Sequence, residues 1–272
     1  MLTRKNETIP VAGLSIYEPV HLGIYEDGFG VDIELIYRNI LLAGEPGSGK
    51  SGGLNNIVAH GALCPDVSLW LLDGKQVELG LWRDLADVFI GPDIDGALLA
   101  LERLQAEMNR RYAELDRVRR RKIAQSDPID VIMVVIDELA LFSATMGTRD
   151  QQDQFVRLLR DLVARGRAAG VIVVAATQRP SADIIPTSLR DLFGYRLAYR
   201  CTTDSSSDII LGRGWAAQGY DASKIAPEER GVGLLLAEGG FPRRMKTAYL
   251  TDAHIYSLVD YARQLRTKKT VA

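Results

Sequence analysis

Residues 44–51 read Gly-Glu-Pro-Gly-Ser-Gly-Lys-Ser. The stretch matches the phosphate-loop pattern G-x-x-x-x-G-K-[S/T]. The apolar run Ile40–Ala43 comes directly before it and predicts a buried strand, and apolar residues at helical spacing follow Ser51. A strand, a glycine-rich turn and a helix start are the context that this loop needs. The stretch therefore predicts a polyphosphate site at the amino end of a helix.

Each part of this loop has a predicted role. Gly47 and Gly49 let the backbone turn so that several N–H groups face one phosphate. Lys50 is expected to reach the β- and γ-phosphates, and the Ser51 hydroxyl to ligate Mg²⁺. ATP and Mg²⁺ are the expected cofactors. The alternative is an ordinary glycine-rich turn. The predicted nucleotide contacts are Gly44, Glu45, Pro46, Gly47, Ser48, Gly49, Lys50, Ser51 and Gly52.

Composition limits the classes of protein that need to be considered. The chain has 272 residues, 47% of them hydrophobic, which is enough for the core of one large α/β domain. The formal net charge is −2, so any nucleic-acid surface must be local or built by several copies. Cys64 and Cys201 lie far apart without a C-x-x-C pair, which argues against a disulfide scaffold or a zinc site.

The start of the chain does not predict a signal peptide. Residues 1–7 have no apolar h-region, and no apolar run approaches the length of a membrane span. We therefore expect a cytoplasmic protein. The predicted division is a β-rich lead-in packed on the core (1–38), an ATPase domain (39–250), and a C-terminal helix and tail (251–272).

Short apolar runs alternate with helix-length segments through most of the chain. This order predicts an α/β fold, with a largely parallel sheet and helices on both faces. Short strands are also expected around residues 9–13 and 20–24, with helices over residues 97–123 and 151–165. The predicted strands of the sheet are Ile40–Ala43, Ser68–Leu72, Val131–Ile136 and Val171–Ala176, extended by Tyr195–Tyr199 and Gly233–Ala237.

Two carboxylates follow the third of these strands. Asp137 is expected to support the Mg²⁺ shell through water, and Glu138 to polarise a water for in-line attack on the γ-phosphate. The alternative is a solvated strand end or an N-cap of a helix over Leu139–Phe142. Gln178 follows the strand Val171–Ala176, and ligands lie at the carboxyl ends of parallel strands. Gln178 is thus placed to sense the γ-phosphate, or it is a loop glutamine.

The motifs taken together resemble the FtsK/SpoIIIE family of double-stranded DNA translocases, over residues 20–240 or so. The segment from Ala176 to Ser181, Ala-Thr-Gln-Arg-Pro-Ser, is the most specific of them. Beside the phosphate loop and Asp137-Glu138, the resemblance rests on Leu-Asp-Gly-Lys (72–75), Glu-Met-Asn-Arg-Arg-Tyr (107–112), Ala-Arg-Gly-Arg-Ala-Ala-Gly (164–170) and the continuation to Ile185.

The resemblance implies a RecA-like motor domain that assembles into a homo-hexameric ring around double-stranded DNA. It supports a role for Gln178 in coupling hydrolysis to movement. It also implies that an arginine from one subunit completes the neighbour's site. Arg196 matches the family's arginine and is the first candidate, and Arg167 is the second. The alternative for either is a surface salt bridge.

The chain also departs from the family pattern. The family's Asp-Ser-Arg appears here as Ser206-Ser207-Asp208, so the role of that arginine is not carried over. The acidic run 204–208 is expected to cap a helix that begins near Ile209. The overall likeness is greater to plasmid and integrative-element transfer proteins than to cell-division proteins. A separate membrane protein is a further expected partner.

Three functions remain open from the sequence. The first is an ATP-dependent DNA translocase in DNA transfer or segregation. The second is a type VII-like secretion ATPase that moves protein, and the third is a nucleotide-switched DNA-binding protein. Loops 144–150 and 212–220 are the expected DNA-channel contacts. The cations at the end of the long helix, Arg110, Arg111, Arg117, Arg119, Arg120, Arg121 and Lys122, are either a phosphate-binding patch or a solvated helix end.

Overall fold

The computed structural model describes residues 13–271, with side chains over 13–267. The strand expected around residues 9–13 falls almost entirely outside this range. The strands are β1 (Val20–Tyr25), β2 (Gly30–Ile33), β3 (Ile40–Ala43), β4 (Val67–Leu72), β5 (Val88–Ile90), β6 (Val131–Ile136), β7 (Val171–Thr177), β8 (Tyr195–Tyr199), β9 (Val232–Ala237) and β10 (Arg243–Thr247). The helices are α1 (Lys50–Leu63), α2 (Ile94–Arg117), α3 (Arg149–Arg165), α4 (Thr187–Arg190), α5 (Asp204–Leu211) and α6 (Asp252–Val271).

All ten strands form one sheet in the order β2-β1-β10-β9-β8-β3-β7-β6-β4-β5. The six strands from β8 to β5 are parallel, and β9, β10, β1 and β2 continue the sheet in antiparallel fashion. The central strands β3, β6 and β7 are buried along their whole length, as expected for a sheet that is covered on both faces. The predicted fold class is confirmed.

Helices cover both faces of this sheet and divide the core into two layers. Residues of α1 and α6 pack on one face, where Leu54, Ile57 and Val259 are buried. Helices α2, α3 and α5 pack on the other, where the rings of Phe142 and Phe155 stack 5.3 Å apart. Within the described residues, no helix is long and apolar enough to cross a membrane.

The long helix predicted over residues 97–123 was placed wrongly at its carboxyl end, since α2 stops at Arg117. Arg119 adopts a left-handed φ of +55°. Its N–H donates to the Asp116 carbonyl at 2.9 Å, and the Arg120 N–H donates to the Leu115 carbonyl at 2.8 Å. This is the Schellman arrangement, which ends helices and normally uses glycine. The sequence has arginine instead of glycine at that position, so the end of the helix was not predicted there.

The helix expected to begin near Ile209 also begins earlier. Helix α5 starts at Asp204, because the Thr203 hydroxyl accepts a hydrogen bond from the Ser206 N–H at 3.1 Å and caps the first turn. Asp208 caps nothing at that end. Its carboxylate accepts from the N–H groups of Gly214 at 2.7 Å and Ala216 at 2.9 Å, and so fixes the loop after α5.

Candidate nucleotide-binding site

The phosphate loop joins β3 to α1 at the carboxyl edge of the parallel strands. Gly47 and Gly49 have positive φ angles of +78° and +102°, a region in which side chains are strained. Gly49 also lies against Gly231, where a Cβ on Gly49 would come within 2.5 Å of the Gly231 Cα. The Gly231 N–H donates to the Ser48 carbonyl at 2.9 Å. The loop is thus closed on one side by the chain just before β9.

A cavity of about 420 Å³ opens in front of this loop. Glu45, Gly47, Gly49, Lys50, Ser51, Gly52 and Gln178 line it among the predicted site residues. Gly44, Pro46 and Ser48 shape the turn but do not line the cavity. The Glu45 carboxylate also pairs with Arg200 and accepts from the Thr202 hydroxyl at 3.0 Å, which ties the loop to the end of β8.

Lys50 and Asp137 meet behind the loop. The Lys50 ammonium donates to the Asp137 backbone carbonyl at 3.2 Å, and burial lowers the pKa of Lys50. The Asp137 carboxylate is fully buried; Oδ1 accepts from the Gly74 N–H at 3.0 Å, whereas Oδ2 accepts nothing from the described residues. Burial, and next the charge of Asp73, raise the pKa of Asp137 to about 7.

The chemistry of these donors fits Mg²⁺. The orphaned Asp137 Oδ2 is an anionic oxygen with free lone pairs, and Ser51 places a hydroxyl at the first turn of α1. Hard oxygen donors of this kind, completed by water and phosphate, are what Mg²⁺ prefers. A bound cation would also remove the cost of burying the ionised carboxylate.

Glu138 is held by hydrogen bonds on both carboxylate oxygens. Oε1 accepts from the Thr177 hydroxyl at 2.5 Å and from the Ala140 N–H at 3.4 Å. Oε2 accepts from the Gln178 N–H at 2.9 Å and from the Lys75 ammonium at 3.2 Å. Gln178 thus contacts Glu138 through its backbone, and it also lines the cavity. The ends of β4, β6 and β7 meet at this one carboxylate.

The predicted finger arginine lies elsewhere. Arg196 is level with Leu41 in the β3–β8 ladder, toward the amino ends of these strands and away from the phosphate loop. It shares a cavity of about 170 Å³ with Arg167, the second candidate. The Arg196 guanidinium lies 3.5 Å from Asp191, and its Nε has no hydrogen-bond partner among the described residues. Burial lowers the pKa of Arg196.

Most cations at the end of α2 have local partners. Arg111 is buried and donates to the Ala169 and Asp130 carbonyls, each at 2.9 Å, so it joins α2 to the segments just before β7 and β6. Arg117 pairs with Glu114 one turn away. Similar pairs join Arg110 to Glu107 and Arg120 to Asp127, and the Lys122 ammonium lies 4.0 Å above the Tyr37 ring. These contacts favour the interpretation of the cations as a solvated helix end over that of a phosphate-binding patch.

Several residues of the cavity were not predicted. The remaining lining residues are Arg230, Gly231, Lys246, Thr247, Ala248 and Tyr249. They come from the start of β9 and the end of β10, which the antiparallel order brings to the phosphate-loop edge. Tyr249 is 76% exposed at the mouth of the cavity. The sequence gives no local signal for this part of the cavity wall, since the strand order alone creates it.

Comparison with known proteins confirms the predicted resemblance. Residues 25–130 match the model of the FtsK/SpoIIIE family. The DNA translocase FtsK of Treponema pallidum is 30% identical over 273 residues, which cover 90% of this chain and 31% of that protein. The DNA translocase FtsK of Corynebacterium glutamicum is 31% identical, over 88% of this chain and 28% of its own length. The chain thus spans about a third of the length of these relatives.

Solved structures share the fold. The pCW3 conjugation coupling protein TcpA, in its monomer form with ATPγS, superposes with a TM-score of 0.79 and 24% identity, over 92% of this chain and 71% of its own. The cytoplasmic domain of the type VII secretion ATPase EccC of Thermomonospora curvata gives a TM-score of 0.70 and 23% identity, over 92% and 31%. At these identities the likeness concerns the fold, which is that of a P-loop ATPase.

Proposed function

We propose that this chain, which has the fold of a P-loop ATPase and matches the FtsK/SpoIIIE family model over residues 25–130, is a motor that uses ATP hydrolysis to move double-stranded DNA. One observation carries the ATPase part: the phosphate loop, Asp137, Glu138 and Gln178 meet at one edge of the sheet, around one cavity. The names of the FtsK relatives support DNA as the cargo.

Each residue at the site has a separate proposed role in hydrolysis. The loop N–H groups and the Lys50 ammonium bind and orient the triphosphate. A water oxygen bonds to the γ-phosphorus while the bond to the β,γ-bridging oxygen breaks, and ADP leaves. Glu138 accepts the proton of that water. Gln178 contacts Glu138 and lines the cavity, so it is placed to pass the state of the γ-phosphate to the rest of the chain.

Ser51 and Asp137 are the proposed holders of Mg²⁺. When bound, the metal neutralises phosphate charge and orients the triphosphate for in-line attack. The contribution of this chain is to present the Ser51 hydroxyl at the start of α1 and to keep Asp137 Oδ2 free of other partners among the described residues.

The position of Arg196 supports assembly. It does not line the cavity in front of the phosphate loop but shares a separate cavity with Arg167, so its proposed contact is with the γ-phosphate of a neighbouring subunit. A homo-hexameric ring in which Arg196, or Arg167 beside it, completes the neighbour's site is part of the proposal. DNA transfer as the process, a cytoplasmic location and a separate membrane partner stay predictions of the sequence.

The main alternative function is supported by a structural likeness to a secretion ATPase. The type VII secretion ATPase EccC of Thermomonospora curvata shares the fold at a TM-score of 0.70. Moving protein is therefore the main alternative. A nucleotide-switched DNA-binding protein is the third.

ATP turnover with and without long linear duplex DNA separates these functions. We expect strong stimulation by duplex, and displacement of a triplex-forming oligonucleotide in the presence of ATP. The Glu138→Gln variant should lose both activities, whereas Glu102→Gln, an exposed site on α2, should keep them. Turnover that ignores DNA would favour protein transport. Duplex binding that depends on nucleotide but displaces no triplex would favour the switch.

A further inference from the structure

The loop after β4 contacts both carboxylates of the Asp137-Glu138 pair. The Gly74 N–H donates to Asp137 at 3.0 Å, and the next residue, Lys75, places its ammonium 3.2 Å from Glu138 Oε2. The Lys75 side chain is 28% exposed and that of Glu138 is 6% exposed. A flexible cation at the solvent boundary therefore pairs with a buried carboxylate whose proposed task is to receive a proton from water.

The hydrogen bonds of Glu138 leave no room for that water. A carboxylate offers about four lone-pair positions. Four protein donors occupy them here: the N–H groups of Ala140 and Gln178, the Thr177 hydroxyl and the Lys75 ammonium. A general base must itself hydrogen-bond to the water that it deprotonates. At least one donor must leave before Glu138 can act.

Of these four donors, Lys75 is the one that can move most easily. The two N–H groups are fixed by the backbone, and the Thr177 hydroxyl is fully buried. The Lys75 ammonium sits on a four-carbon stem with access to solvent. Its charge also stabilises the ionised carboxylate in a conformation that excludes water.

We propose that Lys75 is a positioning residue that restrains Glu138 through the ion pair at Oε2. The restraint rests on the proposed function, since it matters only if Glu138 is the base. Release of Lys75 frees Oε2 for the attacking water, so basal hydrolysis is slow until nucleotide and cargo rearrange the site. Lys75 itself transfers no proton and contacts no substrate atom; it acts only through Glu138.

The test is the Lys75→Met variant, which removes the charge and keeps the length of the stem. A partly buried ion pair of this kind corresponds to a roughly five-fold effect on rate. We expect the DNA-free kcat to rise by about that factor with the KM for ATP unchanged, so that the stimulation by duplex DNA shrinks. Lys75→Arg keeps the charge and should restore the wild-type kcat. Lys224→Met, at an exposed lysine paired with Asp221, is the matched control and should change neither.

An unchanged basal kcat in Lys75→Met would overturn the restraint. A lower kcat with a higher KM would overturn it as well, because Lys75 would then bind phosphate. Lys75→Gln repeats the measurement if the methionine variant does not fold. If DNA does not stimulate wild-type ATP turnover but Lys75→Met raises kcat five-fold, the restraint by Lys75 stands and only the proposal of a DNA motor is contradicted. No turnover in either protein, with or without DNA, would overturn both.

Discussion

Replacing Gly49 by alanine tests the packing of the phosphate loop against the chain before β9. The new Cβ would lie within 2.5 Å of the Gly231 Cα and would overlap the Gly231 backbone nitrogen. Gly47→Ala is the matched control, because Gly47 also has positive φ but meets nothing within 4 Å. Both variants carry the same kind of backbone strain, and only one carries the overlap.

The expected losses of stability follow from the backbone strain and the steric overlap. A side chain at positive φ costs about 1–2 kcal/mol, which is the expected loss for Gly47→Ala. Gly49→Ala adds overpacking of about 1–3 kcal/mol, part of which is the weakened hydrogen bond from the Gly231 N–H to the Ser48 carbonyl. The free energy of unfolding should therefore fall by about 2 kcal/mol more in Gly49→Ala than in Gly47→Ala.

Urea unfolding of the nucleotide-free protein measures this difference. For a chain of this length, about 2 kcal/mol also corresponds to a melting temperature lower by roughly 4–8 °C. Equal unfolding free energies, to within about 0.5 kcal/mol, would refute the argument that close approach to Gly231 requires glycine at position 49. A larger loss in Gly47→Ala would refute it more strongly.

Four further outcomes are expected. Glu138→Gln should keep nucleotide binding, measured by equilibrium titration, but lose at least about 100-fold in kcat; a wild-type rate would disprove its role as base. Tyr249→Ala should raise the KM for ATP about ten-fold with little change in kcat, since base stacking on an aromatic ring contributes about 1–3 kcal/mol. Arg266→Ala should lower the free energy of unfolding by about 2–3 kcal/mol, because this half-buried guanidinium donates to the carbonyls of Gly61, Ala62 and Val67; exposed Arg263→Ala should cost under about 1 kcal/mol. Burial lowers the pKa of His60, so below a pH of about 6.5 the unfolded chain binds a proton that the folded chain does not. The free energy of unfolding should therefore fall between pH 7 and pH 5. Urea titrations at these two pH values should show a smaller fall in His60→Gln than in the wild type.

The sequence predicted the central part of the fold well. Strands β3 and β6 have the predicted bounds, because a strand that is buried on both faces appears as an uninterrupted apolar run. Helix ends were less predictable. Helix α2 stops at a left-handed Arg119, and α5 starts at a threonine cap that precedes the acidic run. Both signals depend on the backbone conformation of one residue and not on composition.

In the candidate site as well, some residues were predictable from the sequence and others were not. The phosphate loop, Asp137, Glu138 and Gln178 are each marked by a strand end and a local motif, and the structure brings them to one edge of the sheet. Their catalytic roles stay predictions. Lys75 and Tyr249 were not predicted as site residues, since the first contacts Glu138 across 63 positions and the second reaches the cavity only through β10.

The eight residues of the phosphate loop determine by themselves where a triphosphate would bind, because turn geometry, backbone N–H groups and the start of a helix are all properties of adjacent residues. Only the tertiary structure decides what surrounds that loop. The antiparallel return of β9 and β10 completes the wall of the cavity, and residues that follow β4 and end β7 hold Glu138 by hydrogen bonds. The β3–β8 register places Arg196 level with Leu41, and its side chain lines a different cavity from the one at the phosphate loop. Strand order joins residues that are distant in the chain, and no local pattern encodes it.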